Sequence, residues 1–299
     1  MTQHDNIPSA PAQPSIVQQL DQCTVRIATD DGRVATGFFF SEPNPAVSGS
    51  MSMWPIIITN RHVIEEASRI QLVISIVDGD GTERHVEVDE PLATFDPLYH
   101  PSSEIDLASL NIATVLTKLE SPGSTFRFRF LDRSVIPPAE EFEHLTVATN
   151  IIMIGYPNGI WDDVNNKAVF RRGIAATSPA RNWQGRQEFL VDMAVYGGSS
   201  GSPVFAYDEG SFATQNGIQF GSRLYLLGVN QGVYGIRHDG VLRLAETPDQ
   251  IGTIDAVAET EVPMNLGVCI NALTIDALLR ELPKPRMRYS AGGYRITIS

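Results

Sequence analysis

A chain of 299 residues can form one large domain or two modest ones packed together, and 42% hydrophobic with 19% charged residues is an ordinary globular composition rather than a disordered one. Twenty-two Lys and Arg against 35 Asp and Glu leave a formal charge of −13, which argues against the basic face that a phosphate backbone demands, so no nucleic-acid partner is expected. No apolar run is long enough to cross a bilayer and no basic-then-apolar leader follows Met1, so the expected setting is cytoplasmic with no membrane partner. The two cysteines, Cys23 and Cys269, lie among apolar neighbours and read as buried thiols of a reducing compartment, a pairing between them being the lesser alternative.

Residues 1–16 are polar and carry Pro8, Pro11 and Pro14, the composition of a disordered or extended lead-in. Residues 23–28 alternate, turn at Asp30-Asp31-Gly32 and return over 34–40, a hairpin pattern. A Pro/Gly/Ser loop over 41–52 precedes a buried strand at 54–59 and a short helical turn at 60–67. A second hairpin joins 70–77 to 85–88 through Asp78-Gly79-Asp80-Gly81, and 104–112 reads as a loop entering a strand. Residues 114–143 hold four Pro/Gly breakers and the acidic run Glu140-Glu141-Phe142-Glu143, and read as a connection with solvated charges. Strand signals resume at 147–154, 168–176, 186–195, 203–207, 223–233 and 266–272. Residues 274–282 form the one clear amphipathic helix, stopped by Pro283 and Pro285. Many short strands and one terminal helix predict an all-β barrel architecture.

The chemistry concentrates in Gly197-Gly198-Ser199-Ser200-Gly201-Ser202, which runs straight into Pro203-Val204-Phe205. Glycine tolerates positive φ, so such a loop can turn consecutive N–H groups to one side, beside a serine hydroxyl. Acyl transfer needs that pairing of a nucleophile with donors for a developing oxyanion. The plain alternative is a flexible Gly/Ser turn between strands. The α/β-hydrolase elbow needs glycine two before and two after its serine, and Ser200, with a serine at 202, does not meet it.

The loop instead resembles the Gly-x-Ser-Gly-Gly/Ser-Pro signature of trypsin-like serine peptidases. In that resemblance Ser200 is the nucleophile, and Gly198 and Ser200 supply the oxyanion amides. His62, in Thr59-Asn60-Arg61-His62-Val63, is similar to the family's Thr-x-x-His-Val segment, closest to its HtrA-like branch. The other histidines, His4, His85, His100, His144 and His238, have no comparable context. Asp106, in Ile105-Asp106-Leu107-Ala108, resembles the Asp-Leu/Ile-Ala strand entry. The order His, Asp, Ser is that of chymotrypsin and differs from those of subtilisin and the α/β-hydrolases.

The resemblance implies two six-stranded antiparallel β-barrels with a C-terminal helix. A barrel over 17–120 would carry His62 and Asp106, 121–145 would connect, and a barrel with helix over 146–282 would carry Ser200. Residues 283–299 would form a short tail, with no PDZ domain. The function implied is a serine endopeptidase acting on protein or peptide, with no metal or cofactor. Gly228, Val229, Asn230 and Gly232 would flank the substrate, Gly267 would wall the S1 pocket and Ala194 would floor it. No acid stands at that floor, so an uncharged apolar P1 residue is expected. Ser199 also leaves no carboxylate before the nucleophile to receive a newly cut N-terminal ammonium. The uncut chain is therefore expected to be competent, with any restraint coming from a regulatory protein partner, a rearrangement of 114–143 or the substrate itself. The competing readings are a catalytically silent binding or scaffold module of the same fold, and an esterase using the same site.

Overall fold

The computed structural model describes residues 14–43, 53–214, 217–242 and 256–282, with the backbone alone described at 43, 213–214, 235–242 and 256–263. Most of the lead-in, most of the 41–52 loop and the 283–299 tail therefore lie outside the described residues.

The first half opens on a short helix α1 (Ile16–Leu20), whose start is closed by a capping box between Ser15 and Gln18. There follow β1 (Thr24–Thr29), β2 (Val34–Pro43), β3 (Met53–Thr59), the one-turn helix α2 (Arg61–Ile64), β4 (Arg69–Val77), β5 (Glu83–Pro91), β6 (Leu98–Tyr99) and β7 (Ala108–Asn111). A helix α3 (Ala113–Leu119) and β8 (Thr125–Phe126) complete it, and α4 (Ala139–Glu143) leads into the second half. That half contains β9 (Asn150–Gly155), β10 (Val169–Ala175), β11 (Glu188–Asp192), β12 (Pro203–Asp208), β13 (Ser211–Thr214), β14 (Gly217–Phe220), β15 (Arg223–Leu242), β16 (Ala256–Asn271) and the C-terminal helix α5 (Ile275–Arg280).

The second half is a closed six-stranded barrel, β10-β11-β16-β15-β12-β9. The first half differs from the six-stranded barrel expected of it. It is one eight-stranded sheet along the path β5-β4-β1-β2-β3-β7-β6, with β8 added to β4, and no ladder joins β5 to β6. β5 ends in Pro91, and between the two strands stand a single 3-10 turn (Leu92–Phe95), a left-handed Asp96 and Pro97. The prolines offer no N–H and the turn uses up the length over which pairing would occur.

Three apolar layers account for the unbroken hydrophobic runs. Phe39 and Ile57 point into the first sheet's own core, with Ile27, Ile74 and Phe128. Phe38, Phe40, Ile56 and Ile58 point the other way, against Ile152, Ile154, Phe205 and Leu226 of the barrel and the apolar faces of α1 and α5. Ile151, Met153, Phe189, Val204 and Leu227 fill the barrel. Strands β2, β3 and β9 thus bury both faces, so the period-two alternation is present in direction but not in polarity.

Residues 121–145, expected as a connection, instead supply part of the first sheet's core. Phe126, Phe128 and Phe130 alternate with arginines, pack into that core and stack on one another and on Phe39. The β15–β16 hairpin also outruns its expected strands, pairing from Gly228↔Asn271 to Leu242↔Ala256. No helix among the described residues is long and apolar enough to cross a membrane.

Candidate active site

The β3–β7 ladder ends at Thr59↔Ala108. His62 follows Thr59 by three residues and Asp106 precedes Ala108 by two, so antiparallel register alone brings both to one sheet end. Asn60 Nδ2 then donates to the Asp106 carbonyl at 2.8 Å. The Asp106 carboxylate holds His62 twice. Oδ1 accepts from the His62 backbone N–H at 2.9 Å, one of the orphan donors of the α2 first turn, and Oδ2 sits 2.5 Å from ring Nδ1. With Nδ1 so engaged, Nε2 is the nitrogen left to accept a proton. From the opposite side, Arg33 Nη1 donates to the His62 carbonyl at 2.6 Å.

The glycine-serine loop joins β11 to β12, with Gly198 at φ 79 and Gly201 at φ 82. The Ser200 carbonyl accepts from the Thr36 N–H at 2.9 Å, and the Thr36 carbonyl accepts from Thr59 Oγ1 at 2.8 Å. Ser200 is thereby tied to the ends of β2 and β3, from which the chain runs into His62. The fit is close: a Cβ on Gly201 would lie 1.9 Å from the Thr36 carbonyl oxygen and 2.5 Å from Thr59 Oγ1. Thr36 Oγ1 also donates to the Gly198 carbonyl at 3.0 Å and accepts from the Tyr156 N–H at 3.1 Å. Behind the loop, Asn230 accepts from the Gly201 N–H at 2.8 Å, donates its own N–H to Ser202 at 2.9 Å and gives Nδ2 to the Ser199 carbonyl at 3.0 Å.

Of the three serines, Ser199 and Ser202 are fully buried, and their hydroxyls bond to Arg171 and Thr36 respectively. Ser200 alone is partly exposed. Its Oγ donates to the Gln231 carbonyl at 3.3 Å rather than to His62. The amides of Gly198 and Ser200 donate to no described residue. Arg171, on β10, is half-buried, and its loss of hydration pulls its pKa down to about 10, the nearby Tyr196 opposing the shift.

The remaining expected contacts divide into two groups. Ala194 is exposed and Gly232 has open space where a Cβ would stand. Gly228, Val229 and Asn230, expected beside the substrate, have their side-chain positions inside. Val229 and Asn230 are fully buried, and a Cβ on Gly228 would meet the Ile270 carbonyl at 2.3 Å and the Phe189 ring at 2.8 Å. Gly228 and Val229 pair with both β12 and β16, and Asn230 pairs with Cys269 of β16 while its amide bonds to the serine loop. Gly267 is buried too, with Val191 and Val195 each 2.8 Å from where its Cβ would be. Sequence reasoning missed Thr36 and Arg171. A lone threonine between apolar strand residues, fully buried, was the available signal for the first. Cys23 and Cys269 are free and buried. No cluster of three His, Cys, Asp or Glu side chains suited to a metal occurs among the described residues.

Comparison with solved structures finds an HtrA-type protease bound to a tripeptide at 14% identity and a TM-score of 0.44, covering 89% of this chain. This chain spans 63% of that one. The MamO protease domain from Magnetospirillum magneticum gives 13% identity and a TM-score of 0.43, over 89% of this chain and 99% of that one. An inactivated protease paralogue of the scabies mite gives 13% and 0.43, over 90% and 97%. Comparison with curated proteins gives no match. The family model for the trypsin-like peptidase domain matches residues 35–213, more than half the chain and inclusive of His62, Asp106 and Ser200. The chain belongs to the trypsin-like peptidase family.

Proposed function

We propose that the protein is a serine endopeptidase in which Ser200 is the nucleophile, His62 the general base and acid, and Asp106 the residue that orients His62. The observation that carries this reading is the double grip of one carboxylate on the His62 main chain and ring, at the strand ends to which the Ser200 carbonyl is tied. Ser200 Oγ releases the Gln231 carbonyl and turns toward Nε2. It attacks the scissile carbonyl carbon while its proton passes to His62. The oxyanion forms against the Gly198 and Ser200 amides, each such donor contributing about 3–4 kcal/mol in this class of reaction. His62 returns the proton to the leaving amine, and water then hydrolyses the acyl-enzyme by the same route in reverse order. The exposed Ala194 and the absence of an acid beside it favour an uncharged, apolar P1 residue.

The test is active-site labelling with a fluorophosphonate followed by peptide mapping. Label is expected on Ser200 in the intact chain, lost in Ser200→Ala and kept in Ser202→Ala. Label on another serine, or none, would overturn the assignment, and the second result would favour a silent binding module. A cleavage profile on denatured proteins is expected to show Ala, Val or Leu at P1. Arg or Lys there would refute the pocket reading, and hydrolysis of esters without peptides would mark an esterase.

A further inference from the structure

We propose that Arg171 is a positioning residue of the nucleophile loop, its guanidinium acting as an internal strut that holds Ser199 and, through it, the flanking Gly198 and Ser200 amides. The proposal rests on Ser200 being the nucleophile. Arg171 sits on β10 opposite Met153 of β9, inside the wall from which the loop departs. Its Nη1 donates to the Ala194 carbonyl at 3.0 Å and to Ser199 Oγ at 2.9 Å. These acceptors lie at the two ends of the turn 194–199, so one rigid planar group fixes the span between them. Its Nη2 lies 3.3 Å from Met153 Sδ, and its Nε is buried without a partner.

No carboxylate among the described residues pairs with this guanidinium. A half-buried cation without a counter-ion gives up part of its hydration, and an apolar side chain of similar volume would avoid that cost. Its contacts are the compensation. Ser199 is held by its hydroxyl on Arg171, by its N–H on the Tyr196 carbonyl and by its carbonyl on Asn230. The first of these fixes the side-chain rotamer, and the three together leave the peptide planes on either side of Ser199 no freedom to turn inward. Direct bonding of the hydroxyl to the cation also explains why a neutral serine suffices at that position.

The experiment compares wild type with Arg171→Met, Arg171→Lys and Ser199→Ala in the full chain. Arg171→Met is expected to keep or raise the thermal midpoint while kcat and the rate of fluorophosphonate labelling fall at least about tenfold and KM moves less than about threefold. Backbone amide exchange over 194–202 is expected to rise at least about tenfold, with the rest of the chain unchanged. Arg171→Lys, which keeps the charge and one donor nitrogen but not the planar guanidinium, is expected to recover part of both losses. Adding Ser199→Ala to Arg171→Met is expected to change labelling less than about twofold, the mark of a shared interaction. If Arg171→Met fails to fold, Arg171→Lys must show a smaller exchange increase confined to 194–202. Unchanged exchange over 194–202 in a folded variant overturns the strut. Should the wild type itself fail to label, the reading of Ser200 falls, and the exchange comparison alone decides Arg171.

Discussion

The two sides of this site are held by different means. His62 and Asp106 come from one sheet and are set by strand register, with a single carboxylate finishing the alignment. The Ser200 loop has no such local frame. Its anchors are Thr36, more than 160 residues away on the other half, Asn230 on β15 and Arg171 on β10. The His62–Asp106 pair is thus a product of one sheet, whereas Ser200 is placed by the docking of the two halves. Changes at the seam should therefore disturb Ser200 while leaving the His62–Asp106 pair intact.

The largest effect is expected at Gly201. Alanine there would need a left-handed backbone and would drive its Cβ into the Thr36 carbonyl, a combined cost of about 3–4 kcal/mol. Gly201→Ala should lower the denaturant midpoint sharply and abolish labelling. A variant of unchanged stability would show that the halves meet more loosely than the geometry states. On the other side of the site, Asp106→Asn keeps an acceptor for the His62 N–H and should alter stability little, yet kcat should fall about 10,000-fold through the wrong imidazole tautomer. Activity within tenfold of wild type would remove Asp106 from its role.

Thr36→Val probes the seam alone. It deletes the hydroxyl shared by Gly198, Tyr156 and Ser202 while keeping the backbone bond to Ser200. A loss of roughly 1–3 kcal/mol is expected, together with slower labelling and an unchanged His62 proton resonance in the imidazole region. A shifted resonance would mean that the two sides are not independent.

The same division explains what could be read from the sequence. His62 and Asp106 sit in local patterns, a strand ending in Thr-x-x-His and a strand entered from Asp, and the Gly/Ser loop announces itself by composition. The hydrophobic runs 38–40 and 56–58 marked strands but not their two destinations, because both faces are buried. Phe126, Phe128 and Phe130 alternate legibly, but the flanking Pro122, Gly123, Pro137 and Pro138 drew that stretch into a connection. Arg171 left no trace: an arginine in a strand reads as surface, and only the fold shows its bonds to Ala194 and Ser199. The resemblance places Asn230 at the substrate edge, and the bond of its buried side chain to the Ser199 carbonyl was not legible in the sequence.

The smallest effect concerns the two thiols, which report on the seam separately from the barrel. Cys23 lies in the layer between the halves and Cys269 inside the barrel. Burial pushes both thiols well above the ordinary range, with Asp21 adding to the rise at Cys23 and Glu188 at Cys269. The thiolate is the reactive form, so neither should alkylate in the native protein, even at mildly alkaline pH. Modification then requires opening, and the layer between two units is the place where sub-global opening costs less than unfolding a closed barrel. In sub-denaturing urea Cys23 should therefore react before Cys269, and Thr36→Val should hasten Cys23 while leaving Cys269 unchanged. Mass spectrometry of iodoacetamide-treated protein, digested after quenching, separates the two sites. If both react together, the halves open as a single unit with the barrel, and the contrast between a locally built acid–base pair and a seam-built nucleophile would not extend to the energetics.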